Sequence, residues 1–152
     1  SSAASDVYKR QVQSNEEDMF DDIVHEIAHS LEEPYGYELY GDKKLENEFL
    51  SKRKRLHDIL WSHGYKAPEA FFMDSEYDQE FDDFLLKKVG YGKLGSLMQG
   101  LFVSPYAATS LREYFATGFT EFYLEPDNHN FIKMVSPALY KKLISLQRRK
   151  NT

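Results

Sequence analysis

The chain has 152 residues, enough for one hydrophobic core, and its apolar and charged fractions, 41% and 29%, are typical of a globular protein. A net charge of -6 argues against general nucleic-acid binding, because phosphate contacts need a basic surface. The chain has no cysteine, so a bound metal would need nitrogen and oxygen ligands. No apolar run is long enough for a membrane span, and the N-terminus lacks the features of a signal peptide.

Hydrophobic periodicity predicts a mainly α fold. Residues 1–13 show no usable periodicity and look like a scar from cloning or sequence assembly, so we expect a non-native or disordered leader there. Residues 14–152 are predicted to form a single domain. The expected helices cover about residues 16–33, 45–61, 76–88, 94–101 and 111–124, and a last helix begins at Pro137 with Ser136 as its cap. Pro34 and Gly36 are expected to end the first helix, and no clear strand pattern is present.

The first helix contains the pattern H-E-x-x-H, formed by His25, Glu26 and His29. Two histidines four residues apart lie on one helix face and can reach a single zinc ion, while the glutamate between them is placed to activate its bound water. The apolar residues of this helix form one stripe: Met19, Phe20, Ile23, Val24, Ile27, Ala28 and Leu31. We expect this stripe to pack on the core and the histidines, with Asp18 and Asp22, to face a cleft or solvent.

A catalytic zinc needs a third protein ligand, and Glu113 is the candidate. The same residue also fits a capping box with Ser110, in which Glu113 would only secure the start of a helix. The residues alone leave both interpretations open. The other possible ligands are His57, His63, Glu121 and His129. The basic run 52–55 lies in a helical pattern and is interpreted as a solvated face.

The two motifs together resemble the catalytic domain of the anthrax lethal factor family and its Pro-Pro endopeptidase relatives, which are gluzincin metallopeptidases. The resemblance depends on the H-E-x-x-H pattern, on Tyr106 standing seven residues before Glu113, and on the Glu-Tyr-Phe-Ala run that Glu113 opens. It implies that His25, His29 and Glu113 hold Zn²⁺. It also implies that Glu26 is the general base and that Tyr106 assists from across the cleft.

The resemblance further implies a zincin-like helical core that cleaves a peptide or protein substrate. It also implies an extracellular protein, with a cytoplasmic location as the alternative. The family usually has another glutamate one turn after the ligand to support the metal site, where this chain has Thr117; Asp22 is a second candidate for that supporting role. The two motifs are far apart for the family, so a helical insertion is expected at about 37–100. The sheet that precedes the metal helix in the family is expected to be truncated or missing.

A second hypothesis of a different class is a non-catalytic helical interaction domain. It would be a degenerate relative that keeps the metal helix, or a module in which H-E-x-x-H is accidental. The two hypotheses differ in geometry, because only the enzyme requires the side chains of His25, His29 and Glu113 to converge.

Overall fold

A computed structural model describes residues 16–150, and this range contains helices and no β-strand, which confirms the mainly α prediction. The α-helices are α1 (Glu16–Tyr40), α2 (Lys44–Ser62), α3 (Glu69–Phe72), α4 (Gln79–Asp83), α5 (Tyr91–Leu97), α6 (Leu111–Leu124), α7 (His129–Val135) and α8 (Pro137–Lys150). None of them is long and apolar enough to cross a membrane. The predicted leader, residues 1–13, lies outside the described residues.

Helices α1 and α6 pack against each other at the centre of the fold. Helix α6 has the predicted bounds and buries an aromatic side made of Tyr114, Phe115, Phe119 and Phe122. Helix α8 begins at Pro137 as predicted and approaches α6 closely at Gly118. A Cβ atom at Gly118 would lie 2.3 Å from a methyl carbon of Leu139, so any larger residue would force that buried side chain to move.

The predicted end of α1 is wrong. Pro34 lies inside the helix, which continues to Tyr40. A proline in a helix removes one backbone hydrogen bond and costs roughly 3 kcal/mol in isolation. Here the extra turn buries Leu39, which is 1% exposed, and lets the Tyr40 hydroxyl donate to Glu32, so tertiary contacts offset that cost.

The predicted orientation of α1 is also wrong in its first half. Met19, Phe20, Ile23 and Ile27 are 65%, 64%, 52% and 45% exposed, whereas His25 is only 6% exposed. Helix α6 packs on the side of α1 that carries His25 and Ala28, because the side chain of Glu113 on α6 contacts that face. The apolar stripe is therefore split between the core and the surface.

Three other predictions need correction. The helix expected over 76–88 begins at Gln79, capped by Asp78, and continues from Phe84 to Val89 as a π-helix. The basic run 52–55 is not a solvated face, because Lys52 and Arg53 are buried. The helix expected over about 94–101 is α5, which spans Tyr91–Leu97; helices α3 and α7 and two 3₁₀ segments were not expected. The helical insertion at 37–100 stays a prediction; Phe49, Leu56 and Phe81 from this range belong to the same hydrophobic cluster as α6.

Candidate metal centre

Two helices bring three possible ligands together. His25 and His29 lie one turn apart on α1, with ring centroids 4.9 Å apart, and Glu113 lies in the first turn of α6. Oε1 of Glu113 is 2.8 Å from Nε2 of His25 and 3.0 Å from Nε2 of His29. One ligand atom from each residue can be chosen so that all three lie within 4.8 Å of one another. The convergence that the enzyme hypothesis requires is present.

The local sequence explains why the Glu113 carboxylate is available to the histidines. Ser110 is the N-cap of α6, and its hydroxyl accepts a hydrogen bond from the Glu113 backbone N–H at 3.1 Å. The Glu113 side chain does not complete the capping box within the described residues; it contacts His25, His29 and Tyr106 instead. Ser110 therefore fixes the start of the helix and leaves the carboxylate directed at α1.

Tyr106, which the resemblance implies should assist from across the cleft, lies beside Glu113, the candidate third ligand. It belongs to a 3₁₀ segment, Pro105–Ala108, is 4% exposed, and donates its hydroxyl proton to Oε2 of Glu113 at 3.0 Å. The hydroxyl of Thr109 donates to the Tyr106 carbonyl at 2.8 Å and helps to close this turn. The seven-residue spacing in the sequence thus corresponds to a direct side-chain contact.

Glu26 is exposed and lines a cleft of about 350 Å³ together with His29, Tyr106, Arg112 and Glu113. The loop residues Ser75, Glu76 and Tyr77 also line this cleft. The backbone N–H of Leu111 donates to the Ser75 carbonyl at 2.9 Å, which ties this loop to the start of α6. A larger and more apolar groove of about 820 Å³, lined by Tyr65, Phe71, Phe84 and neighbouring residues, contains no member of the His–Glu cluster. The smaller cleft is therefore the one lined by candidate site residues.

Glu32 is a residue of the candidate site that the sequence reasoning missed. Its Oε1 lies 2.6 Å from Nδ1 of His29, the ring nitrogen opposite the one that faces Glu113. The Tyr40 hydroxyl donates to Oε2 of Glu32 at 2.6 Å, and Nε of Arg112 lies 3.2 and 3.3 Å from its two oxygens. A carboxylate on the second nitrogen of a metal-binding histidine fixes its tautomer and orientation. The available signal was position, because Glu32 follows His29 by three residues on one helix face.

The two residues predicted to support the ligands lie close to them in the sequence but are placed differently. Thr117 follows Glu113 by one turn, and its Oγ1 is buried with no hydrogen-bond partner among residues 16–150. Asp22 is half-buried one turn before His25. Burial, followed by the charges of Asp18 and Asp22, raises the pKa of Asp21. Besides Glu113 itself, the carboxylate that contacts a histidine of the cluster is that of Glu32.

The cluster is strongly polarised in the metal-free protein. Burial alone would raise the pKa of Glu113, but hydrogen bonds from His25 and His29 hold that pKa well below its usual range. Burial would likewise lower the pKa of His29, but its hydrogen bonds with Glu113 and Glu32 raise it to about 9. A negative carboxylate and a protonated His29 therefore face each other, and a cation that replaced the proton would meet preformed ligands.

The other candidate ligands have separate partners. Nδ1 of His57 lies 2.9 Å from Asp58, and Nδ1 of His63 lies 2.9 Å from the Ile59 carbonyl. The ring of His129 stacks on Phe122 at 3.9 Å, and Glu121 accepts a hydrogen bond from Asn128. Among the described residues, the one group of three or more His, Asp or Glu side chains close enough to share a metal ion is His25, His29 and Glu113.

Comparisons with family models, with curated proteins and with solved structures found no match to this chain. The arguments for function therefore come from the side chains of the site.

Proposed function

We propose that this chain is a zinc-dependent endopeptidase that hydrolyses peptide bonds in a peptide or protein substrate. The observation that supports the proposal most is the convergence of His25, His29 and Glu113 from two helices onto one point at the edge of a cleft. Glu26 and Tyr106, the two further residues that such chemistry needs, line the same cleft.

The donor set fits zinc. Two imidazole nitrogens and one carboxylate oxygen are a ligand set found in catalytic zinc sites, which leave a fourth position for water. The contact of Nδ1 of His29 with Glu32 places the ring proton on that side, so the lone pair of Nε2 is directed at the cluster centre. A bound zinc ion would polarise the scissile carbonyl and lower the pKa of its water to about 7.

The side chains of the chain then have distinct tasks. Glu26 is exposed in the cleft and is proposed to accept the proton of the attacking water and to pass it to the leaving amine. Tyr106 is proposed to donate to the developing oxyanion, a contact typically worth about 3 kcal/mol of transition-state stabilisation. Its hydroxyl now donates to Glu113, so Tyr106 must exchange that acceptor for the substrate oxygen during the reaction.

The test is cleavage of a random peptide library by zinc-loaded protein, with products identified by mass spectrometry. We expect cleavage that stops when zinc is removed by a chelator and returns when zinc is added. Tyr106→Phe should retain zinc and cleave roughly 100-fold more slowly, in line with the loss of one oxyanion donor. Cleavage that continues without zinc, or zinc-loaded protein that cleaves no peptide, would contradict the proposal.

A second candidate, the non-catalytic helical interaction domain, is favoured by one observation. Met19, Phe20, Ile23 and Ile27 leave an apolar stripe of α1 exposed, and such surfaces often contact other proteins. Zinc content separates the enzyme from a domain with an accidental motif, which should fold with the same helices and bind no zinc. Peptide cleavage separates the enzyme from a degenerate relative that keeps the metal helix. The extracellular location implied by the resemblance remains part of the enzyme proposal.

A further inference from the structure

We propose that Arg112 is a substrate-binding residue that recognises a carboxylate, either of an Asp or Glu side chain or of a peptide C-terminus. This inference rests on the proposed peptidase function and names the chemistry of one substrate position. It concerns a residue that takes no part in holding the metal or in moving protons.

Arg112 lies directly before Glu113 on α6, and its side chain is 64% exposed and lines the cleft. The Nε atom donates to Glu32, at 3.2 and 3.3 Å from the two carboxylate oxygens. Neither of its two terminal nitrogens has a hydrogen-bond partner within residues 16–150. The guanidinium group thus uses one nitrogen for the protein and keeps two donor nitrogens for another acceptor.

The anchor of this arginine is well fixed. The Glu32 side chain is 9% exposed and is itself held by Tyr40 and His29 through contacts of 2.6 Å each. An arginine held at Nε loses less rotational freedom when its outer edge binds a ligand. The geometry of that edge matches a carboxylate, which can accept two parallel hydrogen bonds from a guanidinium group. The cleft therefore contains a preorganised binding site for an anionic group.

The other charged side chains of the cleft restrict the preference for a carboxylate to the substrate position beside Arg112. Apart from His29, Arg112 is the one basic side chain among the residues that line the cleft, whereas Glu26 and Glu76 are acidic and exposed. A substrate carboxylate beside either glutamate would be repelled, and one beside Arg112 would be attracted. We therefore expect selectivity for an acidic group at one substrate position and no general preference for acidic peptides.

The experiment measures peptide binding separately from cleavage. Zinc-loaded Glu26→Gln protein is titrated with fluorescent peptide pools that have amidated C-termini and a Glu or a Gln fixed at each position in turn. A further pair of pools contains no acidic residue and carries either a free or an amidated C-terminus. We expect about tenfold tighter binding of the carboxylate at one position, or of the free C-terminus, which identifies the source of the carboxylate.

Variants separate ligand recognition from support of Glu32. In the Glu26→Gln background, Arg112→Gln should reduce the affinity ratio of the carboxylate pool and its neutral counterpart to about one, and Arg112→Glu should reverse the preference. Arg55→Gln changes the net charge equally at an exposed site on α2 and should leave the ratio unchanged. Glu32→Gln, measured at saturating zinc, should lower the ratio less than Arg112→Gln does, because the guanidinium group remains and only its anchor is weakened.

The inference would be overturned if the Glu and Gln pools bind with equal affinity and the free and amidated C-termini also bind with equal affinity. It would also be overturned if no pool binds. A carboxylate preference that survives in Arg112→Gln would overturn it as well. Cleavage by the unmodified protein is scored independently. If peptides are cleaved without any carboxylate preference, the inference about Arg112 fails and the proposed function stands; if carboxylate peptides bind selectively but none is cleaved, the reverse holds.

Discussion

Arg53 and Glu113 are both buried charges, 1% and 6% exposed, but their surroundings differ. The guanidinium group of Arg53 donates to the backbone carbonyls of Phe72, Ala108 and Thr109 at 2.8, 2.6 and 2.9 Å. It also packs on the ring of Phe81 at 3.9 Å. These partners are neutral and cannot change protonation, so the arrangement has one state.

The partners of Glu113 can change protonation, since two of them are histidines, and its neighbourhood opens on a cleft. A site whose partners exchange protons can accept a cation in their place, whereas a site made of backbone carbonyls around a fixed cation cannot. The comparison indicates that burial of charge alone does not mark a functional site. Arg53 still contributes to the site indirectly, because Ala108 and Thr109 lie between Tyr106 and Ser110.

The largest expected effect is on catalysis, through Glu26. Glu26→Gln keeps the size of the side chain but cannot accept the proton of the attacking water, so we expect peptide cleavage to fall by about 10² to 10⁴-fold. Zinc content and the thermal unfolding midpoint should not change, because Glu26 is exposed and is not a proposed ligand. Cleavage at the unmodified rate would show that Glu26 is not the base.

The next effect concerns stability, through Arg53. Arg53→Met leaves three buried carbonyls without their donor and should lower the free energy of unfolding by about 3 kcal/mol or more. Arg55→Met, two positions later on the exposed side of α2, should change it by less than about 0.5 kcal/mol. Urea denaturation of both variants measures the difference, and equal effects would remove the structural role given to Arg53.

A substitution at Glu32 should weaken zinc binding less than a substitution at one of the proposed ligands. Glu32→Gln keeps an oxygen near Nδ1 of His29 but removes the negative charge, and we expect zinc affinity to fall by about 10 to 100-fold. The matched control is Glu33→Gln, because Glu33 is exposed on the same helix. Competition with a zinc-binding dye gives both affinities; if they are equal, His29 does not need Glu32.

The smallest effect is expected at Thr117. Its buried Oγ1 has no hydrogen-bond partner among residues 16–150, so Thr117→Val, which keeps the shape, should stabilise the fold by up to about 1 kcal/mol. Zinc affinity should not change. A large loss of zinc affinity in this variant would show that the Thr117 hydroxyl supports the metal site after all.

The features that the sequence could predict depend on short separations. The association of His25, His29 and Tyr106 with Glu113 was implied only by the family resemblance. By contrast, H-E-x-x-H lies within one helix, and Ser110 caps α6 within three residues of Glu113. Local geometry is enough to bring such residues together. The mainly α fold was predicted from the three- and four-residue spacing of apolar residues, which is also a local pattern.

The features that were missed depend on distant segments. Arg53 is buried because carbonyls 55 and 56 residues away accept hydrogen bonds from it, and no local sequence pattern predicts these contacts. The orientation of α1 was misjudged because amphipathicity favoured an inward Ile23, while the contact between Glu113 and His25 spans 88 residues. Pro34 was expected to end α1, but the burial of Leu39 favours continuation.

The most direct test of the central claim is a calorimetric titration of the metal-free protein with zinc, carried out in two buffers of different ionisation enthalpy. The raised pKa of His29, about 9, means that this ring is protonated near neutral pH and must lose its proton to bind zinc. Affinity should therefore rise with pH until about 9. The pKa of Glu113 is held low, so its carboxylate releases no proton on binding.

The account predicts one zinc ion per chain, bound with release of about one proton near neutral pH. His25→Ala and Glu113→Ala should each abolish tight binding, whereas His63→Ala, at the exposed C-cap of α2, should leave it unchanged. Failure of the unmodified chain to bind zinc, or full zinc occupancy in His25→Ala and Glu113→Ala, would contradict the claim that these side chains form a metal centre.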